Sequence, residues 1–320
     1  MKLTIIYDYF FRVLSSELIS RVKNAAPGII VSEVQQKDVK VADLVDSDIV
    51  YGRIPQHMLI KLPNLKWQHL ASAGANGLTD RELYANKTAI LTKSSGTFGI
   101  PIAEYIIGMM VALGRNFGYY HKKQLNNEWC DILPDFRDIS GSSVFVVGLG
   151  DIGTEVCRRL SVFGCHLTGF RRDATKPHEI VSDVRPISKL RESLPEADYV
   201  IICAPGTTET EKLFGQEEFM LMKNTAVIIN VGRGMIIDSD ALADALNKEQ
   251  IYGAGLDVTE PEPLPPEHPL WRAKNIIITP HNSAATQLTT ERRTMVFLDL
   301  LKRYLAGQEM YNLVDFDKGY

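Results

Sequence analysis

A chain of 320 residues, 45% hydrophobic and 23% charged, has the size of two ordinary domains and the composition of a globular protein. Its formal charge of −4 leaves no basic footprint for nucleic acid and no charged interaction tail, though a local basic pocket for an anion stays open. Four cysteines, Cys130, Cys157, Cys165 and Cys203, lack the CxxC spacing and companion histidines of a zinc site, so no metal is expected and a reducing compartment fits.

The first element is a short strand-like run, Leu3–Tyr7, which meets Asp8 at once and lacks the apolar core and cleavage site of a signal peptide. A helical stretch follows over Phe10–Asn24. Strands are then expected at Gly28–Ser32, Asp48–Tyr51, Trp67–Ala71 and Ala89–Thr92. A longer helical pattern runs from Pro101, a proline at a first-turn position, to about Leu125. The longest apolar stretch, Ile102–Leu113, is too short for a membrane span and is interrupted by Glu104, so a cytoplasmic protein is expected. A polar connector containing Asn126, Asn127, Pro134, Asp135 and Gly141 comes next.

A second α/β series starts at Ser143. Its expected strands are Ser143–Val147, Cys165–Phe170, Tyr199–Cys203, Ala226–Val231, Gly253–Asp257 and Ile276–Thr279, the six of a complete dinucleotide-binding sheet. A last helix covers Gln287–Leu305. The fold class is therefore α/β, with two Rossmann-like or flavodoxin-like domains of parallel strands. A last helix after a completed nucleotide sheet suggests a return to the first domain, so a discontinuous domain of residues 1–100 and 286–320 is expected beside a dinucleotide-binding domain of residues 101–285.

The run Val144-Phe145-Val146-Val147-Gly148-Leu149-Gly150-Asp151-Ile152-Gly153 is a buried strand followed by GxGxxG and a helix. Gly148 permits the turn, Gly150 admits a pyrophosphate to the backbone, and Gly153 lets helix pack on strand; the helix N-terminus offers free N–H groups to the diphosphate. An acid that takes the ribose hydroxyls of NAD is expected about 20 residues after such a loop. Arg171 stands there, with Arg172 beside it, and a guanidinium suits the 2′-phosphate of NADP. NADP(H) is therefore favoured; the other reading is a solvated basic turn in which Asp173 serves NAD(H).

Three polar residues stand at or beyond strand ends in the second series. They are Arg233 in Asn230-Val231-Gly232-Arg233-Gly234, Glu262 in Asp257-Val258-Thr259-Glu260-Pro261-Glu262-Pro263, and His281 in Thr279-Pro280-His281. With the glycine loop, and in this order, they make the chain resemble the D-isomer-specific 2-hydroxyacid dehydrogenases over essentially its whole length.

That resemblance implies a nicotinamide-dependent oxidoreductase of the glyoxylate/hydroxypyruvate reductase type, with residues 1–100 and 286–320 binding substrate and the active site in the interdomain cleft. Arg233 would hold the carboxylate of a small 2-oxo acid, His281 would exchange a proton with its carbonyl oxygen, and Glu262 would orient the imidazole and favour its charged form. Backbone amides of Ala73 and Gly74, in a small-residue loop, would bind the carboxylate from a second side. Arg53 is a further candidate, with an exposed loop arginine as its plain alternative. Pro205 and Thr210 would line the adenosine side, and Val231, Gly232 and the Asp257 carboxylate would meet the nicotinamide and its carboxamide. The resemblance also implies a homodimer. Two other readings stand beside the reductase: a nucleotide-sensing corepressor-like protein of the same fold, and an NAD-dependent enzyme that oxidises another small anion. Three positions depart from the family pattern: Asn76 where an acid is common, Arg171 at the ribose acid, and Asn282-Ser283 after the histidine.

Overall fold

The structure is a computed structural model that describes residues 1–7, 15–130 and 136–317. The chain folds as two compact units, Met1–Thr97 with Thr286–Tyr320, and Phe98–Ala285.

In the first unit, among the described residues, five parallel strands pair in the order β2-β1-β3-β4-β5: β1 (Lys2–Tyr7), β2 (Ile30–Gln35), β3 (Ile49–Tyr51), β4 (Trp67–Leu70) and β5 (Ile90–Lys93). This is the flavodoxin-like order. Successive strand side chains point to opposite faces. Leu3, Ile5, Ile49, Tyr51 and Trp67 thus pack with Leu18 and Val22 of the Ser15–Ala25 helix and with Phe297, Leu300 and Leu301 of the Gln287–Leu305 helix. Ile6, Val50 and Leu70 point the other way, into a cluster with Leu44, Leu59 and Tyr84.

The first helix is described over Ser15–Ala25; the expected start at Phe10 lies outside the described residues. The Gln287–Leu305 helix has its expected bounds, and its Thr286 cap accepts from the Thr289 amide at 3.2 Å. Beyond it lies an unexpected contact. The amides of Val314 and Lys93 donate to Leu91 and to Asn312, so residues 312–314 lie antiparallel along β5 and satisfy part of that edge.

The second unit carries seven parallel strands among the described residues, where six were expected. They are β6 (Ser143–Val147), β7 (His166–Arg171), β8 (Asp183–Pro186), β9 (Tyr199–Ile202), β10 (Val227–Asn230), β11 (Gly253–Leu256) and β12 (Ile276–Ile278), in the order β12-β11-β10-β9-β6-β7-β8. The extra strand is β8. Its sequence, Asp-Val-Arg-Pro, is an edge strand of half-buried residues with no apolar run, so it gives no periodic signal. The strand order reverses between β6 and β9, where an open α/β sheet forms its ligand crevice. Pairing register aligns Ile202, Asn230, Leu256 and Ile278 across neighbouring strands, so the loops that follow leave the sheet at one level.

The expected Pro101–Leu125 helix is two helices, Gly99–Gly114 and Phe117–Leu125. Between them Asn116 takes φ 53°, a left-handed conformation that asparagine tolerates. A Cβ on Gly114 would come within 3.2 Å of the Arg137 carbonyl oxygen, so the chain is tightly packed where it turns. Apolar periodicity continues across this break, which is why it reads as one helix. Of the expected connector residues, Asn126, Asn127 and Gly141 lie in turns or at a helix end, while Pro134 and Asp135 fall outside the described residues.

One buried polar chain fixes the strand ends of the first unit. Trp67 Nε1 donates to Thr92 Oγ1 at 2.8 Å, and Thr92 Oγ1 meets His69 Nδ1 at 2.8 Å. His69 Nε2 meets Ser94 Oγ at 3.0 Å, and Ser94 Oγ donates to the Leu70 carbonyl. Because Ser94 gives its hydrogen to the Leu70 carbonyl, its oxygen accepts from Nε2–H, and the neutral imidazole is left with Nδ1 to accept the threonine hydrogen. Burial pushes His69 from 6.5 down to about 3. The unfolded chain takes up this proton at its ordinary value while the folded one refuses it. The stability linked to neutral His69 is therefore complete above pH 6.5 and falls as pH drops toward 3. Between pH 7 and 5 this group should account for a loss of about 2 kcal/mol. Urea unfolding of the wild type and of His69→Asn checks it: the variant should lose less stability over that interval, and equal losses would remove the assignment.

Candidate active site

The glycine loop joins β6 to the Asp151–Ser161 helix. Gly148 has φ +99°, and a Cβ there would lie 2.8 Å from the Ala204 amide nitrogen, so the turn is pressed against the chain leaving β9. At Gly153 a Cβ would fall 1.9 Å from the Gly148 carbonyl oxygen; only glycine lets the helix sit this close. Gly150 caps the helix and faces open space, with no atom within 4 Å of a built Cβ. Leu149 packs over Gly169 of β7, where any side chain would strike it. Asp151 turns its carboxylate to the Gly99 amide at 3.2 Å, and Ile152 lies in the first turn.

β7 ends at Arg171. Its guanidinium donates to the Lys176 carbonyl, while its Nε is buried with no hydrogen-bond partner among the described residues. Arg172 is exposed and bridges Glu209 at 2.8 Å. Asp173, the alternative ribose ligand, folds back on its own turn. Thr175 donates to it from hydroxyl and amide, and these bonds hold the carboxyl below its usual range. His178 accepts from the amides of Ile180 and Val181 and meets Thr154 Oγ1 at 3.0 Å; burial and the nearby Arg171 charge push it down. An open glycine cradle, a helix N-terminus and an orphaned arginine nitrogen at the next strand end suit a phosphorylated dinucleotide.

The loop after β10 carries Arg233. Asn230, fully buried, ties it: its Oδ1 accepts from the Gly232 amide at 3.0 Å and its Nδ2 donates to the Arg233 carbonyl at 2.9 Å. Each flanking glycine faces a neighbouring loop. A Cβ on Gly232 would come within 2.5 Å of the Ala204 carbonyl oxygen, and one on Gly234 within 1.9 Å of the Thr259 carbonyl oxygen. The arginine loop is thus wedged between the loops of the adjacent strands β9 and β11, and the Arg233 stem lies against Gly206. Burial lowers the guanidinium from its ordinary value, while the charge of Glu262 opposes that shift.

Glu262 follows β11 between two proline peptides, Glu260–Pro261 and Glu262–Pro263, both cis. Its Oε1 lies 2.7 Å from His281 Nδ1, and the histidine side chain is 49% exposed. As a carboxylate Glu262 can only accept, so Nδ1 carries the hydrogen and Nε2 is left as the nitrogen that exchanges protons. The structure brings all three residues together: Glu262 hydrogen-bonds His281 and lies within electrostatic reach of Arg233.

Asp257 is held in a local network. It is 1% exposed, and its oxygens accept from Thr279 Oγ1 at 2.7 Å, the Asn282 amide at 2.9 Å and the Ser283 amide at 2.9 Å. Its carboxylate is engaged with the loop that carries His281. The bonds to Asn282 and Ser283 are made by their backbone, which explains why the departure from the usual residue types leaves the loop intact. Thr210 likewise serves its own turn, donating to the Pro205 carbonyl at 2.8 Å and accepting from Thr207. Val231 is buried, its amide on the Ile202 carbonyl.

In the first unit, Ser72 Oγ donates to the Gly74 carbonyl at 2.8 Å, which curls the loop containing Ala73. Arg53 donates to the Asn76 carbonyl, and Arg293 reaches the Ala71 carbonyl at 3.3 Å. Asn76 enters this contact through its backbone. Sequence reading missed Asn230, Tyr105 and Thr279. The fixed spacing of Asn230 to Gly232 and Arg233 was the available signal for the first.

Among the described residues no cluster of three or more His, Cys, Asp or Glu could hold a metal ion. No helix of the described residues is long and apolar enough to cross a membrane.

Residues 107–283 match the family model of the D-isomer specific 2-hydroxyacid dehydrogenase, NAD binding domain. The chain belongs to the D-isomer specific 2-hydroxyacid dehydrogenase family. It is 30% identical to glyoxylate/hydroxypyruvate reductase B of Enterobacter sp. (strain 638), over 93% of this chain and 91% of that protein. A family protein from Aeromonas salmonicida subsp. salmonicida A449 superposes with TM-score 0.86 at 27% identity, covering 99% of both chains. A D-isomer specific 2-hydroxyacid dehydrogenase from Xanthobacter autotrophicus Py2, solved with NADPH and MES, gives TM-score 0.81 at 25% identity over 99% of both chains. This member of the family is an NAD(P)-dependent oxidoreductase that acts on a CH–OH group.

Proposed function

We propose that this dehydrogenase is an NADP(H)-preferring reductase of small 2-oxo acids, of the glyoxylate or hydroxypyruvate class. The observation that carries the reading is the His281–Glu262 pair at 2.7 Å within electrostatic reach of Arg233. The bound nicotinamide supplies the hydride. Arg233 holds the substrate carboxylate and polarises the 2-oxo group, a task for a permanent fork-shaped cation. His281 gives the Nε2 proton to the carbonyl oxygen, and Glu262 stabilises the imidazolium through Nδ1. In the reverse direction Nε2 takes the proton back from the hydroxyl. The Ala73 and Gly74 amides contribute a second set of carboxylate donors, with Arg53 holding their loop through Asn76.

For the cofactor, we assign the diphosphate to the amides of Leu149, Gly150, Asp151 and Ile152, and the 2′-phosphate to Arg171 and Arg172. Pro205 and Thr210 shape the adenosine side, and Val231, Gly232 and Asp257 the nicotinamide side. Arg171 in place of an acid, the engagement of Asp173 with Thr175, and NADPH in the Xanthobacter relative support NADP(H) over NAD(H). In this reading residues 1–100 and 286–320 form the substrate domain and 101–285 the dinucleotide domain of a cytoplasmic enzyme.

The test is a panel of glyoxylate, hydroxypyruvate, pyruvate and bulkier 2-oxo acids, run with both cofactors on wild type and Arg171→Asp. Wild type should turn over at least one small acid faster with NADPH. Arg171→Asp should move the NADPH/NADH ratio of kcat/KM toward NADH by about tenfold or more, the weight of one charge-assisted pair. An unchanged ratio would refute the phosphate assignment, and no turnover with any acid would refute the reductase.

We further propose a homodimer. The family resemblance implies it, and exposed apolar side chains at Phe117, Leu125 and Trp129 are compatible with a partner surface. A light-scattering mass of a single 35.8 kDa chain would remove it.

A further inference from the structure

We infer that Tyr105, Thr279 and Asp257 form a clamp that positions His281, with Tyr105 acting on the general acid from the Gly99–Gly114 helix. The inference rests on the proposed role of His281 as proton donor. Tyr105 and Thr279 need touch neither substrate nor cofactor; they are positioning residues that act through Asp257.

The clamp's polarity follows from what each group can do. Asp257, as a carboxylate, only accepts, so Thr279 Oγ1 gives it its hydrogen at 2.7 Å. The threonine oxygen is then left to accept, and the Tyr105 hydroxyl hydrogen-bonds it as donor. The same carboxylate accepts from the amides of Asn282 and Ser283, both at 2.9 Å. Its carbonyl takes the His281 amide at 2.8 Å. Every residue from Thr279 to Ser283 that has a backbone N–H is therefore held by Asp257, or by the Leu256 carbonyl in the case of Thr279.

Such over-determination has a reason. His281 takes φ 52°, the left-handed region that is unfavourable for a residue with a Cβ. A conformation of this kind persists only where surrounding bonds enforce it. It aims the imidazole so that Nδ1 lies on Glu262. Thr279 is the first link between the helix and this loop. Without the Tyr105 hydroxyl its oxygen loses a donor; without the Thr279 hydroxyl, Asp257 loses its side-chain donor. In each case the amide bonds remain but the loop gains freedom, and proton delivery tolerates little misplacement.

The experiment compares Tyr105→Phe, Thr279→Val and Thr279→Ser in the full-length enzyme and repeats the first two in a His281→Gln background. We expect kcat with NADPH and the preferred 2-oxo acid to fall by about tenfold in Tyr105→Phe and by up to about a hundredfold in Thr279→Val. The NADPH dissociation constant from fluorescence titration should stay within about twofold, and Thr279→Ser, which keeps the hydroxyl, should retain near-wild-type turnover. In the His281→Gln background neither variant should reduce the residual rate further, since the group they position is gone. Hydrogen exchange of the peptide spanning residues 279–285 should quicken in both variants with the rest of the chain unchanged. Wild-type kcat in both variants, or an equal loss in the His281→Gln background, would overturn the clamp. Wild-type turnover of His281→Gln alone would instead overturn the catalytic reading, and the exchange rates would still decide whether the clamp exists.

Discussion

Replacing His281 with alanine is expected to lower kcat by about 10²- to 10⁴-fold while NADPH affinity changes little. The imidazole is bonded to Glu262 through Nδ1, so its loss removes a proton donor while the glycine loop that would cradle the dinucleotide keeps its own packing. One complication is the left-handed backbone at this position, φ 52°, which alanine accepts poorly. His281→Asn addresses it, because asparagine tolerates that conformation but cannot relay the proton. Both variants should fail alike in turnover, with NADPH titration close to wild type. A collapse of NADPH binding in the asparagine variant would mean that the histidine holds the nucleotide crevice together.

Gly234→Ala should damage the site almost as severely, with no functional group removed. Its new Cβ would stand 1.9 Å from the Thr259 carbonyl oxygen and 2.0 Å from the carbonyl carbon, both backbone atoms that cannot rotate aside. The Arg233 loop and the Glu262 loop must move apart, which separates the guanidinium from the pair that donates the proton. We expect kcat/KM for the 2-oxo acid to fall by about a hundredfold. Stability should drop by about 1–3 kcal/mol from the forced contact. Steady-state kinetics and urea unfolding read the two effects separately. Wild-type kinetics would show that the close approach at Gly234 does not set the arginine.

Much of the dinucleotide unit was legible because its signals are local. Gly148 and Gly153 are glycines for reasons confined to a few residues, and the buried strands announce themselves by runs such as Val144-Phe145-Val146-Val147. The convergence of Arg233, Glu262 and His281 was legible only through a motif order. Distances along the chain do not reveal that register lines up the ends of β10, β11 and β12.

Other features depend on neighbours that no window contains. β8 pairs as a polar edge, and its short Asp-Val-Arg-Pro run looks like a turn until β7 is beside it. The break at Asn116 is hidden by apolar spacing that continues through it. The resemblance puts Asp257 on the nicotinamide side, but no stretch of sequence shows what holds its carboxylate. Its partners Thr279, Asn282 and Ser283 arrive from the next strand, more than twenty residues on. Tyr105 sits in an apolar helical run, where a tyrosine reads as core; its hydroxyl contact with Thr279 spans 174 positions.

The loop after β11 also binds two jobs into one short stretch of chain. Asp257, at its root, shapes the backbone of the histidine loop, and Glu262, near its tip, meets the histidine ring. The histidine ring and the backbone just beyond it are thus gauged by two carboxylates on one tether. Loss or gain of a residue anywhere in 258–261 would keep every functional group yet put the two gauges out of step. Length in this segment is as demanding a requirement as chemistry, and a homologous loop grafted here would have to match it before any side chain mattered.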